Sequence, residues 1–215
     1  MTSRWPIREW SWTRLAERCG DCEVALSRYR PRDHAFLEQT TRERRTMDLG
    51  AWIAELTQPT SDETSEWCLR ESQAPFQTTP ALRFDLDFRG VFPRGHPEFR
   101  HLMWAGPAGY VTGLHTDELA LNLLAHVLGR KRVVMYGPEQ ESKLYPTTRE
   151  AVDGGRYSNV NPVSPDRERH PAFAEAAGIE VILEPGDLLY IPRTYWHWAE
   201  SLTPSLSISG VSQNT

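Results

Sequence analysis

Residues 81–215 predict a mainly β fold, a jelly-roll barrel built from two antiparallel sheets, with helices of the N-terminal segment packed outside. Three observations predict it. From about residue 81 the chain is a succession of short apolar or alternating runs broken by Gly and Pro, the pattern of antiparallel strands and turns. Helical periodicity is confined to the first 80 residues. The whole chain has 215 residues, enough for one such domain with an extension and too few for two.

Residues 1–80 read as a helical and mixed extension of the same domain. Within MDLGAWIAEL, Leu49, Trp52, Ile53 and Leu56 fall on one helical face behind Asp48, a suitable N-cap. Arg42, Arg44 and Arg45 cluster just before it and read as a solvated helix face. Pro59, Thr60, Ser61, Asp62, Pro75 and Pro80 mark a loop-rich passage. The core, residues 81–215, then follows as LRFDLDF, HLMWAG, GYVTGLH, LNLLAHVLG, KRVVMYG, IEVIL, DLLYIP and SLSISGV. A long break at residues 137–178, rich in Pro, Asp, Gly and Ser, interrupts the series and reads as a functional segment or lid.

Composition excludes several classes. With 39% hydrophobic and 25% charged residues the chain is neither disordered nor fibrous. A net charge of −5 repels a nucleic-acid backbone, so no nucleic-acid partner is expected. No 18-residue apolar run and no signal-peptide core occur, which predicts no membrane association and a cytoplasmic location. The three cysteines, Cys19, Cys22 and Cys68, suit a reducing compartment, and Cys19 and Cys22 read as free thiols near a helix end.

The chemistry concentrates at His115-Thr116-Asp117. Residues i and i+2 of a strand project to one face, so this triplet at a strand end aims a nitrogen and an oxygen ligand at a common point. Two imidazoles and one carboxylate on one side of a ferrous ion leave positions open for other ligands. A third ligand must come from elsewhere in the barrel. Glu184-Pro185-Gly186-Asp187 turns into LLYIP, and Thr194-Tyr195-Trp196-His197-Trp198 follows. Read alone, His197 also fits a core histidine among aromatics. His96-Pro97-Glu98 repeats the first motif, but its Pro97 disfavours a shared strand face.

From Trp104 to Ser209 the chain resembles the JmjC-type hydroxylases, which have the double-stranded β-helix or cupin fold, and within them the asparaginyl-hydroxylase branch. The matching text is WAGPAGYVTGLHTD, GRKRVVMYGPEQESKLYP, EPGDLLYIPRTYWHWAESL and SLSIS. The resemblance implies an Fe(II)- and 2-oxoglutarate-dependent dioxygenase with His115, Asp117 and His197 on the iron. It implies that Lys131 and Thr112 hold the distal carboxylate of 2-oxoglutarate and that Asn122 touches the cosubstrate near the metal. Turnover would consume dioxygen and convert 2-oxoglutarate to succinate and carbon dioxide while hydroxylating a C–H bond.

A buried cation is what a dianion entering a barrel requires, and Lys131 shares a strand face with Val133 and Met135. The alternative for Lys131 is an edge residue with its charge in solvent. Thr112 lies three residues before His115, so both face one site only if the strand is distorted near Gly113. Where the family has a cosubstrate-binding Tyr upstream, this chain reads Trp67-Cys68-Leu69.

The expected substrate is a protein or peptide side chain. A free amino acid or natural-product scaffold is the alternative, and a metal-binding cupin module without turnover is a second. Trp104, Trp196 and Trp198 are placed to line a substrate pocket or to fill the core. A monomer or weak dimer is expected, because no helical pair follows SLSISGV.

Overall fold

A computed structural model describes residues 5–28, 43–58, 66–91, 99–150 and 155–212. The N-terminal segment supplies α1 (Trp12–Cys19), β1 (Glu23–Arg28), β2 (Arg44–Asp48), α2 (Leu49–Thr57) and β3 (Trp67–Ser72). The jelly-roll strands then run through β4 (Arg100–Gly106), β5 (Val111–His115), β6 (Leu121–Leu128), β7 (Lys131–Tyr136), β8 (Pro146–Glu150) and β9 (Arg156–Ser158). They continue with β10 (Ile179–Leu183), β11 (Leu188–Tyr190), β12 (Trp196–Ser201) and β13 (Ser205–Ser212). The strands form a seven-stranded sheet, β11-β6-β13-β4-β3-β1-β2, and a six-stranded sheet, β10-β7-β12-β5-β9-β8. The two sheets pack as an open sandwich, so the predicted jelly roll is present without barrel closure.

The helical stripe lies where the periodicity put it: Leu49, Trp52, Ile53 and Leu56 are the buried residues of α2. Asp48 occupies the N-cap position, but its side chain makes no capping hydrogen bond. The N-terminal segment also does more than supply helices, since β1, β2 and β3 extend the large sheet beyond β4. Arg44 and Arg45 therefore sit on a strand and not on a helix face; Arg45 pairs with Glu55 and stacks over the Trp67 ring. Gly20, between Cys19 and Cys22, lies against Gly50 with its carbonyl accepting the Gly50 N–H at 2.9 Å; a Cβ on Gly50 would press on the Gly20 Cα at 3.1 Å, and one on Gly20 would strike the Ala16 carbonyl oxygen. Cys19, Cys22 and Cys68 are buried and outside any disulfide, and burial pushes Cys19 up to about 11.

The LRFDLDF run departs from expectation. It forms 3-10 turns at Pro80–Asp85 and Phe88–Val91. Pro80 cannot donate to a ladder, and Leu82, Leu86 and Phe88 are buried without one while Phe84 stays exposed. Phe88 packs over Gly210 of β13, where a Cβ would come within 2.5 Å of the ring. The long break also carries structure of its own, β8 and β9, with β9 pairing His115 of β5 through Tyr157. Arg42, the His96-Pro97-Glu98 triplet and Pro59 to Asp62 lie outside the described residues.

Three histidines are held neutral by the fold. Burial is the leading cause pushing His101, His115 and His126 down to about 4. The unfolded chain protonates such groups near pH 6.5 and the folded chain only near 4. The unfolded state therefore binds more protons in this window, and stability falls as pH drops through it. Each fully enclosed group contributes about 1.4 kcal/mol per pH unit, and the half-buried His101 contributes less because solvent screens it. Metal-free protein is expected to lose on the order of several kcal/mol of unfolding free energy between about pH 6.5 and 4.5. Urea unfolding across that range checks this, and a flat profile would count against it.

Candidate metal centre and its cavity

β5 ends at His115, and the chain leaves the sheet through Thr116 and Asp117. Thr116 is fixed by β9: its N–H donates to the Arg156 carbonyl at 2.8 Å and its hydroxyl accepts the Arg156 N–H at 2.9 Å. β12 runs antiparallel to β5 and sets His197 directly opposite His115. The two imidazole rings lie 4.1 Å apart between centroids. His115 Nε2 is 3.6 Å from Asp117 Oδ1, and His197 Nε2 is 3.6 Å from Asp117 Oδ2. The ligand atoms of His115, Asp117 and His197 all fall within 4.8 Å of one another, a grouping able to hold a metal ion.

The imidazoles are oriented from behind. His115 Nδ1 lies 2.8 Å from the Gly113 carbonyl and His197 Nδ1 lies 3.2 Å from the Tyr195 carbonyl. A carbonyl only accepts, so in each ring Nδ1 carries the proton and the Nε2 lone pair is left for the common centre. Burial, and then the neighbouring His197, hold His115 well below the usual imidazole range, so it stays neutral and ready to ligate. Asp117 is positioned by Asn122, whose Nδ2 donates to Oδ2 at 2.9 Å. The adjacent Glu118 pairs with Arg193 at 2.7 Å, tying the carboxylate segment to the turn that precedes Thr194. Thr194 takes a positive φ of 65°, a strained conformation for a β-branched residue at the entry to β12.

The three residues open into a cavity of about 400 Å³ between the sheets. Strand register sets the residues around it in levels, of which Asn122, Val211, Arg100, Leu124, Ser209, Leu102 and Trp104 line it. On the large sheet the level nearest the triad holds Asn122, Val211 and Arg100; the next holds Leu124, Ser209 and Leu102; the deepest holds His126, Ser207 and Trp104. On the small sheet His197 pairs with Met135, Ala199 with Val133 and Ser201 with Lys131. The levels match across the gap: Asn122 bonds Asp117, Leu124 and Val133 share a cluster, and Lys131 lies close enough to His126 to disfavour its protonation. At the level of Trp104, His126 and Ser207 bond each other at 2.9 Å.

All six residues singled out in the sequence line this one cavity: His115, Asp117, His197, Asn122, Thr112 and Lys131. Thr112 reaches it because β5 carries an extra residue. Its partners run His197 opposite His115 and then Ala199 opposite Thr112, so three steps along β5 match two along β12, which is a bulge at Gly113 and Leu114. Lys131 is 5% exposed, inside the sandwich and not at a solvated edge, and among the described residues its ammonium has no ion-pair partner. Burial alone pushes it down to about 8.

Sequence reasoning did not find Glu71, Arg100, Ser209 or Tyr157, which also line the cavity. Alternation with Trp104 and Leu102 is a signal that points to Arg100. Glu71 carries none, since it faces the cavity from a bulge in β3 at a φ of 49°. Of the three tryptophans, Trp196 and Trp198 are fully buried core, and Trp104 lines the cavity.

Residues 1–210 match the model of the Cupin-like domain family. The chain is 39% identical over 102 residues to human HSPB1-associated protein 1, covering 47% of this chain and 21% of that protein. It is 35% identical over 137 residues to lysine-specific demethylase 8 of Xenopus tropicalis, covering 62% and 30%. To JmjC domain-containing protein D of Dictyostelium discoideum it is 40% identical over 105 residues, covering 49% and 23%. The chain thus spans less than a third of the length of these relatives. With the facing sheets, the cavity between them and a family match over nearly its whole length, the chain belongs to the Cupin-like domain family.

Proposed function

We propose that this chain is an Fe(II)- and 2-oxoglutarate-dependent oxygenase that hydroxylates a C–H bond of a protein or peptide side chain. The observation that carries the reading is the pairing, within one cavity, of a metal-ligating triad at one level and a buried ammonium two levels deeper. A desolvated cation without a counterion calls for an anionic ligand, and the triad calls for a metal. One molecule satisfies both if it chelates the metal at one end and carries a carboxylate at the other.

The donor set fits iron. His115 and His197 supply neutral nitrogens, Asp117 supplies one anionic oxygen, and borderline nitrogen ligands combined with a carboxylate suit Fe(II). When bound, iron and 2-oxoglutarate supply the activation of dioxygen, with the cosubstrate leaving as succinate and carbon dioxide. The chain's own residues do the rest. The Gly113 and Tyr195 carbonyls keep both rings in the ligating tautomer, Asn122 steers the Asp117 carboxylate, and Lys131 with Thr112 receives the distal carboxylate. The aliphatic middle level, Leu124 with Val133, excludes water from the space between. Relatives named for lysine-specific demethylation and for association with the protein HSPB1 favour a protein substrate.

The test needs no substrate. Iron-loaded protein is mixed with 2-oxoglutarate without oxygen, and a visible charge-transfer absorption is expected. Admitting oxygen should then release succinate. If neither band nor succinate appears with iron demonstrably bound, the oxygenase reading fails.

A further inference from the structure

We infer that Trp104 is a third donor to the distal carboxylate of the cosubstrate, its indole N–H acting beside Lys131 and Thr112 in place of the Tyr that the resemblance leads one to expect. The inference rests on the oxygenase reading. Where that Tyr would stand, β3 reads Trp67-Cys68-Leu69, and none of the three lines the cavity. Cys68 is fully buried and its thiol is turned to the Ser27 carbonyl at 3.3 Å. A ligand carboxylate has more acceptor capacity than one ammonium and one hydroxyl fill, so a donor is owed from another strand.

Trp104 is in position to supply it. It stands on β4 directly opposite Ser207, and Ser207 bonds His126, which lies close to Lys131. Trp104 and Lys131 therefore occupy the deepest level of the cavity from opposite sheets, two levels from the metal ligands. The Trp104 Nε1 is buried and has no hydrogen-bond partner among the described residues. Trp52, Trp196 and Trp198 share that condition, but none of them lines the cavity. An enclosed N–H without an acceptor costs free energy that a bound acceptor recovers. A ring that lines the anion's chamber beside an unpaired ammonium has its acceptor supplied when the carboxylate arrives.

The rival account is packing alone, in which the indole only fills the end of the chamber. A ligand that lacks the distal carboxylate separates the two. The affinities of 2-oxoglutarate and of 2-oxopentanoate, which carries a methyl group where the carboxylate would be, are measured by titrating the absorption of oxygen-free, Fe(II)-loaded wild type and Trp104→Phe. Phenylalanine keeps an apolar ring and removes the N–H. The expected result is a loss of roughly tenfold to a hundredfold in 2-oxoglutarate affinity, the size of a hydrogen bond to a charged group, with 2-oxopentanoate affinity unchanged. Unchanged 2-oxopentanoate binding also shows that the variant is folded. An equal loss for both ligands, or for neither, overturns the assignment and leaves the oxygenase reading standing. A wild type that binds iron but neither keto acid overturns both.

Discussion

His115→Ala is expected to reduce 2-oxoglutarate-dependent succinate formation by more than ~1,000-fold and to remove tight iron binding, because it deletes one of three direct ligands. Substituting a group that merely orients a ligand costs about 10- to 100-fold in metal affinity. The loss should therefore exceed that of Asn122→Ala, which takes away the 2.9 Å hydrogen bond to Asp117 but leaves all three ligand atoms. Iron content after dialysis and succinate release measure the two variants side by side. His115→Ala protein that retains iron and turnover at the wild-type level would remove the triad from the mechanism.

Lys131→Met should weaken 2-oxoglutarate by on the order of 100-fold, the value of a buried charge-assisted contact, while making the metal-free protein more stable. Both effects have one cause. Burial lowers the ammonium from 10.5 to about 8, and at about 1.4 kcal/mol per pH unit the fold forgoes roughly 3 kcal/mol to keep the charge enclosed at neutral pH. The sign follows from proton counting. Between about 8 and 10.5 the unfolded chain holds a proton that the folded chain has released, so wild-type stability rises with pH through that window. Lys131→Met should lack the rise. Cosubstrate binding runs the other way, since the anion needs the protonated amine: wild-type affinity should fall up to about tenfold per pH unit above about 8, and the variant's should not. Calorimetric titrations at about pH 7 and 9, on either side of that value, with thermal unfolding at both, decide the matter. A destabilised variant with unaltered affinity would refute the account.

Much of this centre is legible in the chain itself. His115 and Asp117 stand two apart at the end of a strand-like run, and His197 follows a turn and a strand, so period-two geometry aims the first pair at one point and the third ligand is left to come from elsewhere in the fold. The need for a distortion near Gly113 is also readable, because Thr112 and His115 are an odd number of residues apart, and the register of β5 against β12 contains that bulge. Other features leave no trace in local pattern. LRFDLDF alternates as a strand does, yet Pro80 and the docking of Phe88 over Gly210 draw it into 3-10 turns. β12 is hidden because Trp196, His197 and Trp198 are all buried, which erases the alternation on which strand reading depends. The addition of β1, β2 and β3 to the large sheet is a long-range pairing that neighbouring residues do not encode, and the Glu118–Arg193 pair joins residues 75 positions apart.

The levelled walls of the cavity make it a ruler. One end is set by the triad, the other by Lys131 and Trp104, and the strands that carry them are locked to fixed register by their ladders. If the cosubstrate spans from the triad to Lys131 as proposed, then oxaloacetate, shorter by one methylene, and a keto diacid one methylene longer are each expected to bind more weakly than 2-oxoglutarate, the longer one meeting Leu124 and Val133. Fixed register would then make chain length a criterion of selection alongside charge.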